Sequence, residues 1–221
     1  MPIVSFPGGG GQPRSHRADG ALRVSGLLKL SALIDRLSHW IGRAVMWLVL
    51  AAVLISAGNA MVRKAFDLSS NAWLEIQWYL FAAVFMLGAG HVLLRNAHVR
   101  IDFIAARLSA RTNAVIDLLG LLLATIPLSI ILVDLSWPLF ARAWATGEMS
   151  INAGGLIRWP VLLLIPLGFA LLALQAVSEL IKRVAFLRGL REQPFSVDPA
   201  TAGAPSAPAQ TVAHPPAEGM R

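Results

Sequence analysis

Four stretches of the chain carry no charged side chain: residues 44–62, 76–94, 118–133 and 159–178, of 19, 19, 16 and 20 residues. An α-helix rises about 1.5 Å per residue and a bilayer's hydrocarbon core is about 30 Å thick, so about 20 helical residues cross it. With flanking residues all four runs reach that length, which predicts spans at about 42–62, 74–94, 114–136 and 159–181. In lipid each backbone must satisfy its own hydrogen bonds, so the spans are read as helices. Membrane strands would alternate polar and apolar residues, and these runs do not.

A different pattern precedes the first run. Leu27, Leu30, Leu33, Ile34, Leu37 and Ile41 recur at helical spacing, with Lys29, Asp35, Arg36 and His39 on the other face. This predicts an amphipathic helix in the membrane interface that leads into span one. Residues 1–25 are rich in Gly, Pro, Ser and Arg, and 192–221 in Pro and Ala without apolar periodicity, so both read as disordered tails around a membrane domain at 26–191. No apolar segment follows a charged start, which argues against a cleavable signal peptide.

Composition agrees with the pattern. Of 221 residues, 56% are hydrophobic and only 14% charged, with a mean hydropathy of +0.64. A soluble domain carries about 25% charge. The net charge of +7 would suggest nucleic acid on a soluble protein, but here the basic residues flank apolar runs. Six Lys or Arg lie up to Arg43, four follow span two and five follow span four, against four in the other two loops. The positive-inside rule then places both termini and the middle loop in the cytoplasm. Trp40, Trp73, Trp137 and Trp159 fall near the expected interfaces. There is no cysteine, which removes disulfides and thiolate chemistry.

Little in the chain points to catalysis or cofactors. His91 is the one histidine within a span, whereas a membrane bis-haem site needs facing pairs. No His-Glu-x-x-His, Gly-x-Ser-x-Gly or phosphate loop occurs. The carboxylates Glu75, Asp117, Asp134 and Glu179 all fall near span ends, where a solvated or Arg-paired interfacial carboxylate is the plain reading. Glu75 stands out because Arg63 and Lys64 emerge on its side of the membrane. Ser56, Asn59, Thr125, Ser129 and Gln175 suit helix–helix hydrogen bonds, and Gly88-x-Gly90 and the small residues of 56–60 suit close helix packing. The residues therefore describe an all-α, four-helix integral membrane protein without chemistry of its own, hence a subunit of something larger. A self-sufficient homo-oligomeric transporter is the alternative; it would call for ionisable groups near the midplane.

The order of short motifs resembles a known family. Trp73-Leu74-Glu75, Trp78-Tyr79-Leu80-Phe81, Gly88-Ala89-Gly90 and Leu93-Leu94-Arg95 lead to His98-Val99-Arg100-Ile101-Asp102, followed later by Trp144-Ala145-Thr146-Gly147-Glu148-Met149-Ser150 and by Pro160, Pro166 and Gly168. Over residues 30–185 this is similar to the small, DctQ-type membrane subunit of tripartite ATP-independent periplasmic (TRAP) transporters. The resemblance implies a multi-pass subunit of the bacterial inner membrane. It would scaffold a large transport subunit and help dock a periplasmic substrate-binding protein, for ion-gradient-driven uptake of an organic anion such as a carboxylate. It implies no cofactor and no nucleic-acid partner; besides the two proteins, the partners are membrane lipids. The candidate partner-binding residues are Glu75, His98, Arg100, Asp102, Trp144, Glu148 and Ser150.

Overall fold

A computed structural model describes residues 14–66, 70–95 and 108–190, with side chains from Gly26 onward. Four long helices follow one another: α1 (Arg14–Phe66), α2 (Asn71–Leu94), α3 (Ala110–Thr146) and α4 (Trp159–Leu187). Each is long and apolar enough to cross a membrane. Among the described residues the only non-helical pairing is one antiparallel bridge, Met149 with Ile157.

Alternate helices run in opposite directions, so α2 and α4 are parallel. Gly90 packs on Leu171 while Gly168 packs on Met86. One end of the bundle holds the α1–α2 and α3–α4 connections; the other holds the start of α1 and the end of α4. Among the described residues only nine hydrophobic ones are buried, six of them alanines, while most large apolar side chains face outward. A soluble bundle does the reverse. In lipid no hydrophobic gain comes from burying leucine, so small residues form the contacts.

Glycine permits two very close approaches between helices. A Cβ on Gly168 would lie 2.7 Å from both the Cβ and the carbonyl oxygen of Met86, so α2 and α4 touch backbone to backbone. A Cβ on Gly42 would lie 2.3 Å from Cγ of His91, whose ring covers that position. Of the expected Gly88/Gly90 pair, Gly90 is close to α4, where a Cβ would lie 3.4 Å from the Leu171 carbonyl oxygen, whereas Gly88 has room. Gly58, in the other small-residue cluster, faces open space.

The segment 27–41 forms no separate element; it is the start of the uninterrupted α1. α1 also takes in residues 14–25, which composition alone assigns to the N-terminal tail. Its orientation differs from that of a soluble amphipathic helix. Ser31, Ile34 and Ser38 are buried against the bundle, while Leu27, Leu30, Leu33 and Leu37 are exposed.

Within α3, residues Leu121–Thr125 form one π-helical stretch. The buried residues of α3 are Ala114, Leu121, Ser129, Ser136 and Ala143. They recur every seven residues except across that stretch, where the step from Leu121 to Ser129 is eight. A π turn holds one residue more than an α turn. It keeps a single face of α3 against its neighbours.

Candidate functional site: a clasped loop at one end, a buried charge network at the other

The α3–α4 connection is a tightly specified loop. α3 stops at Gly147, whose φ of 61° is left-handed, and the Glu148 N–H returns to the Ala143 carbonyl at 3.2 Å. Glycine takes that conformation without Cβ strain. The chain then doubles back. Ser150 N–H donates to the Leu156 carbonyl at 2.9 Å and Arg158 N–H to the Glu148 carbonyl at 2.9 Å. The tip is a turn closed by Gly155 N–H on the Asn152 carbonyl, with Gly154 at φ 70°.

One face of α2 grips this loop. Asn71, Glu75 and Tyr79 are spaced four apart, so they stack along one side of the helix. Asn71 Nδ2 donates to the Ala153 carbonyl at 2.9 Å and Tyr79 OH to the Ile157 carbonyl at 3.1 Å. Glu75 lies between them and is the centre of the contact. Its Oε1 accepts from Ser150 Oγ and from Asn152 Nδ2 at 2.8 Å, and its Oε2 accepts from the Leu156 N–H at 2.6 Å. Gly155 must be small here, because a Cβ would lie 2.6 Å from Ser150 Cβ and 2.8 Å from Glu75 Oε1. Beside the clasp, a cavity of about 710 Å³ opens between Trp78, Tyr79, Arg158 and Val161.

Of the residues singled out in the sequence, the structure thus brings Glu75 and Ser150 into direct contact. Glu148 lies in the same loop but pairs with Arg158, both side chains being more than a third exposed. Trp144 is outward on α3, 59% exposed, and meets Trp159 edge-on at 4.6 Å between ring centroids. His98, Arg100 and Asp102 lie outside the described residues. The sequence reading missed Asn152 and Arg158, which complete the clasp. It also missed the Leu156 amide, which no side-chain pattern reveals.

The opposite end holds a polar network inside the bundle. Lys182 Nζ contacts both Asp35 oxygens, at 3.1 and 3.0 Å, and also pairs with Glu179. Arg183 reaches Glu179 Oε2 at 2.6 Å and Asp117 Oδ2 at 3.4 Å. Gln175 donates to Asp35 at 3.0 Å and accepts from Ser38 at 2.6 Å; Ser178 donates to Asp35 at 2.7 Å. Glu179, Lys182 and Arg183 are each only 2% exposed. Of the two forms expected for a carboxylate near a span end, Glu179 takes the Arg-paired one, on Arg183, and it is buried rather than solvated. Both cations face carboxylates, as buried charges must. The network ties α1, α3 and α4 together. Nearby, Arg95 Nε donates to His91 Nε2 at 3.2 Å, and the His91 ring lies 5.8 Å from that of His39.

Residues 52–186 match the family model described as tripartite ATP-independent periplasmic transporters, DctQ component. The match begins midway along α1 and covers α2, α3, the clasped loop and nearly all of α4. The chain belongs to the DctQ family. It is a multi-pass integral membrane component of a transporter, not an enzyme class, and the family implies the bacterial inner membrane. No curated protein and no solved structure gives a match. Asp35, Ser31 and Ser38 lie ahead of the matched residues, so the α1 side of the buried network falls outside the match.

Proposed function

We propose that this chain is the small scaffold subunit of a TRAP-type importer. It packs beside the large transport subunit and presents the Gly147–Arg158 loop to the periplasmic substrate-binding protein. The termini and the buried charge network then lie on the cytoplasmic side, in keeping with the distribution of Lys and Arg. The cargo class is an organic anion such as a carboxylate, driven by an ion gradient; specificity resides in the receptor and the large subunit.

The observation that carries the docking role is the clasp. A loop between membrane helices that only needs to connect them requires no grip by three side chains. This one is held in a single shape by Asn71, Glu75 and Tyr79 before any partner arrives, and a preorganised loop binds with less ordering cost. Glu148, Met149 and Ile151 project from its surface.

The test is co-purification in mild detergent from native membranes, followed by addition of the periplasmic receptor. A stoichiometric large polytopic subunit, and receptor binding that needs this chain, are the expected results. Recovery of this chain alone as a homo-oligomer that catalyses flux in liposomes would replace the reading with that of a self-sufficient transporter.

A further inference from the structure

The outward face of early α1 has the arrangement of one half of a coiled coil. Leu30, Leu33, Leu37 and Trp40 alternate by three, four and three residues and are 44% to 66% exposed. This is the a/d spacing of a heptad seam. Lys29, Arg36 and Arg43 recur at seven-residue intervals along one flank of that seam, all exposed. They occupy the g position, where charges select a partner helix. The neighbouring carboxylate, Asp35, is turned inward to Lys182 and Ser178. The exposed flank is therefore uniformly basic.

Lipid does not account for the full basic row. α1 stays upright in the bundle here, since Ser31 meets Ser178, Ser38 meets Gln175 and Gly42 meets His91. From Lys29 to Arg43 the row spans about 21 Å along the axis. A headgroup layer is only about 5–8 Å deep on each side of the hydrocarbon. Arg43 sits level with His91, short of the end of α2. A neighbouring helix runs the whole length of such a row; a single layer of phosphates does not. A second copy is disfavoured, because in one membrane its α1 would run parallel and set the basic flank against Leu27, Ile34 and Ile41, which offer no carboxylate.

We propose that this seam docks a helix of another subunit bearing Asp or Glu at seven-residue spacing. The proposal rests on the subunit reading above and adds to it the contact surface and the partner's charge pattern.

The test places a photo-crosslinking amino acid at Leu33 or at Leu37 of the full chain in native membranes, and maps the crosslinked peptide. The expected product is a helical segment of a co-purifying membrane subunit with acids seven residues apart. Lys29→Glu with Arg36→Glu should then lower recovery of that subunit about tenfold. Reversing the mapped acids should restore it. Crosslinks to lipid only, to a second copy, or to a segment without such acids overturn the seam. If the wild-type complex contains the large subunit while Leu33 and Leu37 reach lipid alone, the seam fails and the proposed function stands. If no large subunit is present, the proposed function fails, and the seam survives only on an acidic helix of some other protein.

Discussion

Glu75→Gln is the sharpest probe of the clasp, because it keeps the shape and removes the charge. The carboxylate accepts three hydrogen bonds, from Ser150, Asn152 and the Leu156 N–H. An amide has one oxygen to offer and two N–H donors, so one side of the group turns from acceptor to donor. The Gln oxygen can keep the Leu156 amide; its NH2 then points at the Asn152 NH2, which must flip or withdraw. A hydrogen bond to a charged acceptor is about twice as strong as one between neutral groups. With one of the three bonds lost and the others weakened, and with rearrangement by Ser150 and Asn152 allowed for, the loop should open about thirtyfold more readily. Amide hydrogen exchange by mass spectrometry, on protein in lipid nanodiscs, reads this directly. Peptides over residues 148–158 should exchange about thirtyfold faster, and those over 170–185 should not change. Exchange in the loop within twofold of wild type would refute the reasoning.

Four further outcomes follow from the packing. Gly42→Ala should lower the detergent melting temperature, and adding His91→Ala should largely restore it, because the obstacle is a side-chain ring. Gly168→Ala should be as damaging, at about 1–3 kcal/mol, yet unrelieved by Met86→Ala, because the obstacle includes the Met86 carbonyl; equal rescue in both cases would contradict the two geometries. Lys182→Met should destabilise by about 3–5 kcal/mol by leaving Glu179 and Asp35 facing fewer cations, and Asp35→Asn in the same chain should return part of it, as a double-mutant cycle in thermal unfolding will show. Glu148→Lys should weaken receptor binding while the membrane complex remains intact, since its exposed pair with Arg158 contributes about 0–1 kcal/mol to folding; unchanged uptake and binding would count against the docking role.

The four long helices were legible because an uncharged run of about 20 residues is a strong signal. The loop end was partly legible. Glu75, Glu148 and Ser150 stand out as polar residues beside apolar runs, and the structure joins Glu75 to Ser150 while Glu148, in the same loop, pairs with Arg158. Their partners were not legible, since a backbone amide such as that of Leu156 has no sequence signature. The buried network left a trace that reading for apolar faces passes over. Gln175, Ser178, Glu179 and Lys182 fall at i, i+3, i+4 and i+7, one face of α4, and Ser31, Asp35 and Ser38 repeat that spacing on α1. In water such stripes face solvent. In lipid the preference inverts, and two matching polar stripes on helices predict contact with each other. The same inversion explains why the leucines of 27–37 are on the outside.

The eight-residue step in α3 bears on how this helix tolerates change in length. Because the π stretch already holds a surplus residue, deleting Ala124 should convert it to ordinary α-helix and restore an unbroken seven-residue repeat from Ala114 to Ala143. Asp117 would still face Arg183, and Ser136 would still face inward. Deleting Ile131 instead would turn everything on one side of the cut by about 100° relative to the other. The aromatic row Trp137, Phe140 and Trp144 would swing away from Trp159, or Asp117 away from Arg183. Length variation among related chains should therefore collect at residues 121–125, the one place in α3 where a residue can be gained or lost without twisting the two ends of the bundle out of phase.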